Sequence, residues 1–254
     1  MSRIGYGYGS EWHLLRWLGY HRAELGHRVA EAIGADDLDW LDLATGADAT
    51  DPFEMDLEWV NVDFIPDVAH PARVAWRETW PRAWGRVGPH WDAVGVATAA
   101  GAREWIFVEA KANAAEVTTN ASTTMAPASR HKIEAAFAAA APSFGVTDTS
   151  SWFRGGYQLA NRLCALDVLN RNGAPARLVL IYFCGDDSGR YRQGRDPLGR
   201  PSVYCPKDEA DWRVRALDAI HARMGWRPGQ GPLGDRVHEL FLPVASEDGD
   251  RAAV

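Results

Sequence analysis

Two ionisable side chains stand at the end of an apolar stretch, where burial should exclude them. Glu104-Trp105-Ile106-Phe107-Val108 has the aromatic and β-branched make-up of a buried strand, and it runs directly into Glu109-Ala110-Lys111. Unpaired charge is costly to bury, so a carboxylate and an ammonium there imply compensation or chemistry. Glu109 and Lys111 are two positions apart and project from one face of a strand. Asp92 opens the preceding apolar run, Trp91 to Thr98, and Ala99-Ala100-Gly101-Ala102-Arg103 reads as the turn between the runs. A hairpin centred near Gly101 sets Asp92 opposite Glu109 or Ala110, because a short turn fixes register. Two carboxylates on a rigid platform suit Mg²⁺, which takes oxygen ligands and retains waters to share with a phosphate. Such an ion polarises a phosphoryl oxygen and activates water. Lys111 would orient that water and stabilise charge developing on phosphorus. The Ala110 carbonyl is a further candidate ligand.

Lysine usage sharpens the choice of Lys111. The chain has 24 Arg but only Lys111, Lys132 and Lys207. A compact ammonium in so arginine-biased a chain points to a task that a planar guanidinium performs less well. The competing structural reading is a salt-bridge cluster at a strand end.

The elements that must carry these residues follow from pattern. Ser10 is placed to N-cap a first helix running to about Ala32, with Gly34 ending it. Its stripe, Leu15, Leu18, Leu25 and Val29, extends backward to Glu11, which either complements the helix dipole or adds a carboxylate to the site. Residues 35–56 read as an acidic loop. Leu57 to Phe64 has strand composition, stopped by Pro66. Arg73 to Val87, with Trp76, Trp80 and Trp84, suggests a helix broken by Pro81. After the hairpin, Ala114 to Pro127 reads as a mobile loop. Ser129 to Ala141 is an expected helix stopped by Pro142. Ser151 is placed to cap a second helix, Trp152 to Asn170, which ends at Asn172-Gly173. A buried strand, Arg177 to Cys184, precedes a Gly/Arg/Pro-rich loop through Pro206. A helix from Asp208 to Met224 and a strand from Val237 to Val244 complete the pattern, with residues 245–254 a frayed tail. The expected architecture is a single domain over 1–254, with a mixed central sheet flanked by helices in the core order αβββαβ.

Bulk properties narrow the function classes. A net charge of −7 argues against nonspecific coating of nucleic acid. The charge is uneven, with eleven Asp or Glu and no Lys or Arg between Ala35 and Ala69. Arg73, Arg77, Arg82 and Arg86 form one basic group, and Arg190, Arg192, Arg195 and Arg200 another. No apolar run approaches a membrane span. The first residues lack a hydrophobic signal region, so the expected location is cytoplasmic. Cys164, Cys184 and Cys205 lack any CxxC pairing and read as core or incidental thiols. The eight His form no zinc pattern, and most of the twelve Trp are expected in the core. Gly5-x-Gly7-x-Gly9 follows no strand and is discounted as a phosphate turn.

Asp92, then Glu109-x-Lys111 on a hairpin, between a first helix and a later helix–strand pair, resembles the PD-(D/E)xK nuclease superfamily with its restriction-endonuclease-like fold. The resemblance spans about Gly9 to Asp186. It implies Mg²⁺ or Mn²⁺ held by Asp92 and Glu109, with the Ala110 carbonyl and Glu11 joining the metal shell. It makes Lys111 the catalytic base or water-orienting residue. Gln158 and Asn161, on the helix after the motif, become supporting residues. It further implies hydrolysis of phosphodiester bonds, in DNA as the expected partner, and homodimers as one way to cut both strands. One departure is Trp91, which stands where the motif has proline. Two rivals remain: a noncatalytic nucleic-acid- or protein-binding module on the same scaffold, and a glycoside hydrolase using Asp92 and Glu109 as its acid pair. The glycosidase gives Lys111 no clear task.

Overall fold

The structure is a computed structural model that describes residues 9–41, 59–80, 88–118, 127–186 and 205–244. Its centre is a five-stranded mixed sheet in the order β1-β4-β5-β6-β7, flanked by helices on both faces. The strands are β1 (Asp37–Trp40), β4 (Ala93–Ala99), β5 (Ala102–Lys111), β6 (Ala176–Cys184) and β7 (Val237–Pro243). β1, β4 and β5 run antiparallel, whereas β5, β6 and β7 are mutually parallel. A separate ribbon pairs β2 (Trp59–Val60) with β3 (His90–Trp91). Among the described residues no helix is long and apolar enough to cross a membrane.

The central hairpin forms as its spacing dictates. Ala99 pairs with Ala102, and the two turn residues, Ala100 and Gly101, have φ of 49° and 78°. Two positive φ values suit the right-handed twist of the flanking strands, and glycine supplies the second without strain. Alternation then divides the core. Ile106, Val108 and Ala110 pack under α1 (Ser10–Tyr20) and α2 (Arg22–Ile33). Phe107, Leu178, Leu180 and Tyr182 face the other layer, which includes α3 (Pro71–Thr79), α5 (Pro127–Ala140), α7 (Tyr157–Arg171) and α9 (Asp218–Met224).

Several boundaries differ from expectation. The first helix is broken at His21 (φ −127°, ψ 29°), and Gly9 rather than Ser10 occupies the N-cap. The break lets α2 cross beside β1, where Arg22 Nη2 donates to the Trp40 carbonyl at 2.9 Å. Gly34 ends α2 in the left-handed conformation, as anticipated. Part of the acidic segment is a strand: Asp37 and Asp39 are exposed while Trp40 is buried, a two-residue alternation hidden by the surrounding acids. β1 thus takes the place in the sheet expected of residues 57–64, of which only Trp59–Val60 pair. Asn61, at φ 55°, turns the chain there. It also accepts two indole N–H groups, Trp91 on its carbonyl at 2.5 Å and Trp76 on its side chain at 3.0 Å.

The helix expected from Trp152 is two, α6 (Trp152–Gly155) and α7, kinked at Gly156. A Cβ at Gly156 would lie 2.7 Å from Met224 Cγ and Sδ, so glycine permits the close approach of α9. Ser151 makes no side-chain cap. The segment expected to be a loop opens as α4 (Ala114–Thr118), with Asn113 Oδ1 accepting from the Glu116 N–H. Asp208 caps α8 (Glu209–Trp212), which continues through a π turn into α9. Six Trp, at 17, 80, 91, 152, 212 and 226, are fully buried core residues. Arg82, Arg86, the arginines from 190 to 200, the glycines at 5 and 7 and the tail 245–254 lie outside the described residues.

Candidate functional site

The hairpin register carries the site. Ala93 pairs with Val108, and the Asp92 N–H donates to the Val108 carbonyl at 3.0 Å, which brings Asp92 level with Glu109. Asp92 Oδ2 also accepts the Ala110 N–H at 2.6 Å. This locks the carboxylate against the peptide between Glu109 and Lys111. Trp91 is buried and stacks on Phe107 with ring centroids 4.6 Å apart, anchoring the strand one residue before Asp92. An indole thus does the rigidifying at a position where the resemblance expects proline.

Glu109 is 5% exposed, and both of its oxygens are taken. Oε1 accepts from Lys111 Nζ and from Gln158 Nε2, the latter at 2.5 Å. Oε2 accepts from Arg162 Nε at 2.8 Å and Nη2 at 2.6 Å. Burial pushes the Glu109 carboxyl up, but Arg162 and Lys111 outweigh it and hold the group below its ordinary value. Lys111 shows the mirror case. Burial pulls its ammonium down, while Glu109, Asp92 and Glu116 more than offset that and keep it protonated. Two cations thus face two carboxylates, with Glu116 as a third acid nearby.

Arg162 was not among the residues selected from sequence. It is 4% exposed and also donates to the His90 carbonyl at 2.6 Å and to Asn161 Oδ1 at 2.7 Å, with its guanidinium 5.2 Å from the centroid of the Trp91 ring. A sequence signal existed: Gln158 and Arg162 are four apart, one above the other on α7. Gln158 touches Glu109 directly, whereas Asn161 acts through Arg162 and the Tyr157 hydroxyl.

Glu116 was missed as well. Its carboxylate accepts the Ala112 N–H at 3.0 Å and Asn113 Nδ2 at 2.5 Å, and the Ser10 hydroxyl bonds to it. Burial raises its pKa, and Lys111 offsets this only in part. Through Ser10 the first turn of α1 reaches this end of the sheet. Glu11 sits in that turn and is not among the partners of Glu109. Further along α1, His13 Nε2 lies 2.6 Å from Asp186 Oδ2, a buried pair that ties α1 to the end of β6.

The donors fit a hard divalent cation in kind. Asp92, Glu109 and the Ala110 carbonyl are the oxygen ligands Mg²⁺ takes, and one or two protein carboxylates suffice for an ion that keeps its waters. Among the described residues, no three His, Cys, Asp or Glu side chains gather to hold a metal on their own. A cation on Glu109 has to displace Lys111 or Gln158 from Oε1.

A cavity of about 430 Å³ opens on the same face, lined by Glu109, Lys111, Gln158 and Arg162 on one side and by Leu180, Tyr182 and Ile220 on the other. Compared with protein-family models, curated proteins and solved structures, the chain matches none.

Proposed function

We propose that this chain hydrolyses phosphodiester bonds in DNA with Mg²⁺ or Mn²⁺, as a PD-(D/E)xK-type nuclease on a restriction-endonuclease-like fold. One observation carries the reading: the register of β4 and β5 sets Asp92 beside Glu109, with Lys111 on the Glu109 face of the strand. In support, the sheet-forming core retains the order αβββαβ, with β1 as its first strand.

Asp92 and Glu109, with the Ala110 carbonyl, would hold the cation. When bound, it supplies charge to polarise the phosphoryl oxygen and to lower the pKa of a bound water. Asp92 is pre-positioned by the Ala110 N–H and needs little rearrangement. Arg162 fixes Glu109 through Oε2 and leaves Oε1 as the oxygen that exchanges partners. Lys111 keeps its proton, so it donates hydrogen bonds to the attacking water and the phosphate instead of acting as the base. Glu109 is held ionised, which suits a ligand and does not suit the protonated acid a glycosidase would need.

Supercoiled plasmid incubated with Mg²⁺ or Mn²⁺ tests the reading. Wild type should nick or linearise it, EDTA should stop the reaction, and Asp92→Ala and Lys111→Ala should abolish it while remaining folded. Intact plasmid across metals and salts would sink the proposal. A second reading, a noncatalytic binding module, is favoured by the saturation of Glu109 with Lys111, Gln158 and Arg162. It expects Lys111→Ala to leave DNA or protein binding intact.

A further inference from the structure

We infer that the cavity beside Glu109 and Lys111 receives an unpaired nucleobase, so that the substrate of this site is DNA with a single-stranded or extruded nucleotide next to the scissile phosphate. The inference rests on the nuclease reading and specifies its substrate.

The composition of the cavity points to a base. Its inner wall is apolar, made by Leu180 and Tyr182 of β6 and Ile220 of α9, each no more than 4% exposed. Val117 of α4 and Leu159 of α7 complete the apolar lining. Its polar rim is Glu109, Lys111, Gln158 and Arg162, the group proposed to hold the phosphate. A ligand filling it therefore has an apolar, compact body joined closely to an anionic centre, which describes a nucleotide. The walls are also rigid. Tyr182 packs between Trp212 and Phe241, with ring centroids 5.0 and 5.3 Å away, and Glu109 is held by three side chains. The cavity's 430 Å³ exceeds the space of one base. A base stacked in a regular duplex cannot leave the helix to enter it without unpairing, which is easiest where the strand is already single.

The test uses the wild-type protein in EDTA, so that binding is read without cleavage. The probe is a single-stranded pentanucleotide with a central 2-aminopurine, compared with the same strand abasic at that position. The base-bearing strand should bind at least about tenfold more tightly, ~1.4 kcal/mol, and its fluorescence should change on binding. Val117→Trp should remove both effects by filling the cavity from the partly buried α4 side. Leu159→Phe fills it from α7 and serves if the first variant does not fold, which near-ultraviolet circular dichroism decides. Equal affinity for the two strands, or an unchanged signal in a folded filled variant, overturns the inference. Cleavage then separates the two claims. If a filled variant cuts fully paired and single-stranded DNA as fast as wild type, the base pocket is wrong and the nuclease reading stands. If the base signal is present and no metal supports cleavage, the nuclease reading is wrong and the pocket stands.

Discussion

Strand β5 carries two buried glutamates, each facing two cations, and they differ in almost everything else. Glu104, at the start of the strand, meets Arg177 Nε at 2.5 Å and Arg236 Nη1 at 3.0 Å. Glu109, near its end, meets Lys111 and Arg162. Both carboxyls are held below their ordinary value against the opposing effect of burial. Only the Glu109 cluster has a second carboxylate in register, a lysine in place of one guanidinium, an amide from Gln158 and a cavity behind it. A buried ion cluster is therefore not in itself a sign of chemistry. The surplus donors and acceptors, beyond what neutralises the charge, are the sign.

That contrast can be broken most directly by cleavage. Asp92→Ala and Lys111→Met should each lower the plasmid-cutting rate by about a hundredfold or more, the scale of losing one electrostatic stabiliser. Glu104→Gln should leave the rate unchanged, and an equal loss there would erase the distinction. Stability is the next discriminator. Arg162→Met strips Glu109 of its bidentate partner in a dry site and should cost about 3–5 kcal/mol in urea unfolding. Glu104→Gln should cost less, about 1–2 kcal/mol, because its arginines are 19% and 31% exposed and water screens the pairs.

A smaller effect lies in pH. Both glutamates are depressed, so their stabilisation is complete above their ordinary value of 4.5 and is lost as pH falls through the folded value. Removing Arg162 raises Glu109, so acid unfolding of Arg162→Met should begin at a higher pH than that of wild type. The smallest effect concerns His221, which burial and then the Arg213 charge push down to about 4. Its folded value is below the unfolded one, so stability falls as pH drops from 6.5 towards 4. Glu239, raised by burial and 3.4 Å from the imidazole, titrates with the opposite sign. The difference between wild type and His221→Leu in pH-dependent melting isolates the histidine, and identical curves would count against its neutral burial.

The site was legible where local rules fix geometry. A two-residue turn at Ala100-Gly101 sets the register, and the register sets Asp92 beside Glu109. Gln158 followed from the same helix logic. Arg162 escaped because an arginine in an arginine-rich chain looks like surface, and only the packed structure shows it at 4% exposed. The strand β1 escaped because three aspartates masked its alternation. The breaks at His21 and Gly156 depend on which neighbour each half-helix meets, Trp40 in one case and Met224 in the other. No periodicity along the chain carries that information.

The edge strand has one more consequence. The Leu41 N–H bonds to the Val94 carbonyl, so the alternate residues Leu38 and Trp40 turn their peptide groups outward. The Leu38 N–H is taken by Asp37 Oδ1 at 2.8 Å, and the Trp40 carbonyl by Arg22. Exposed Asp37 and Asp39 add like charge along the same border. A second chain seeking to add a strand there finds its hydrogen-bonding partners occupied and an acidic rim in its path. At this border the protein guards against aggregation with a single arginine from a neighbouring helix.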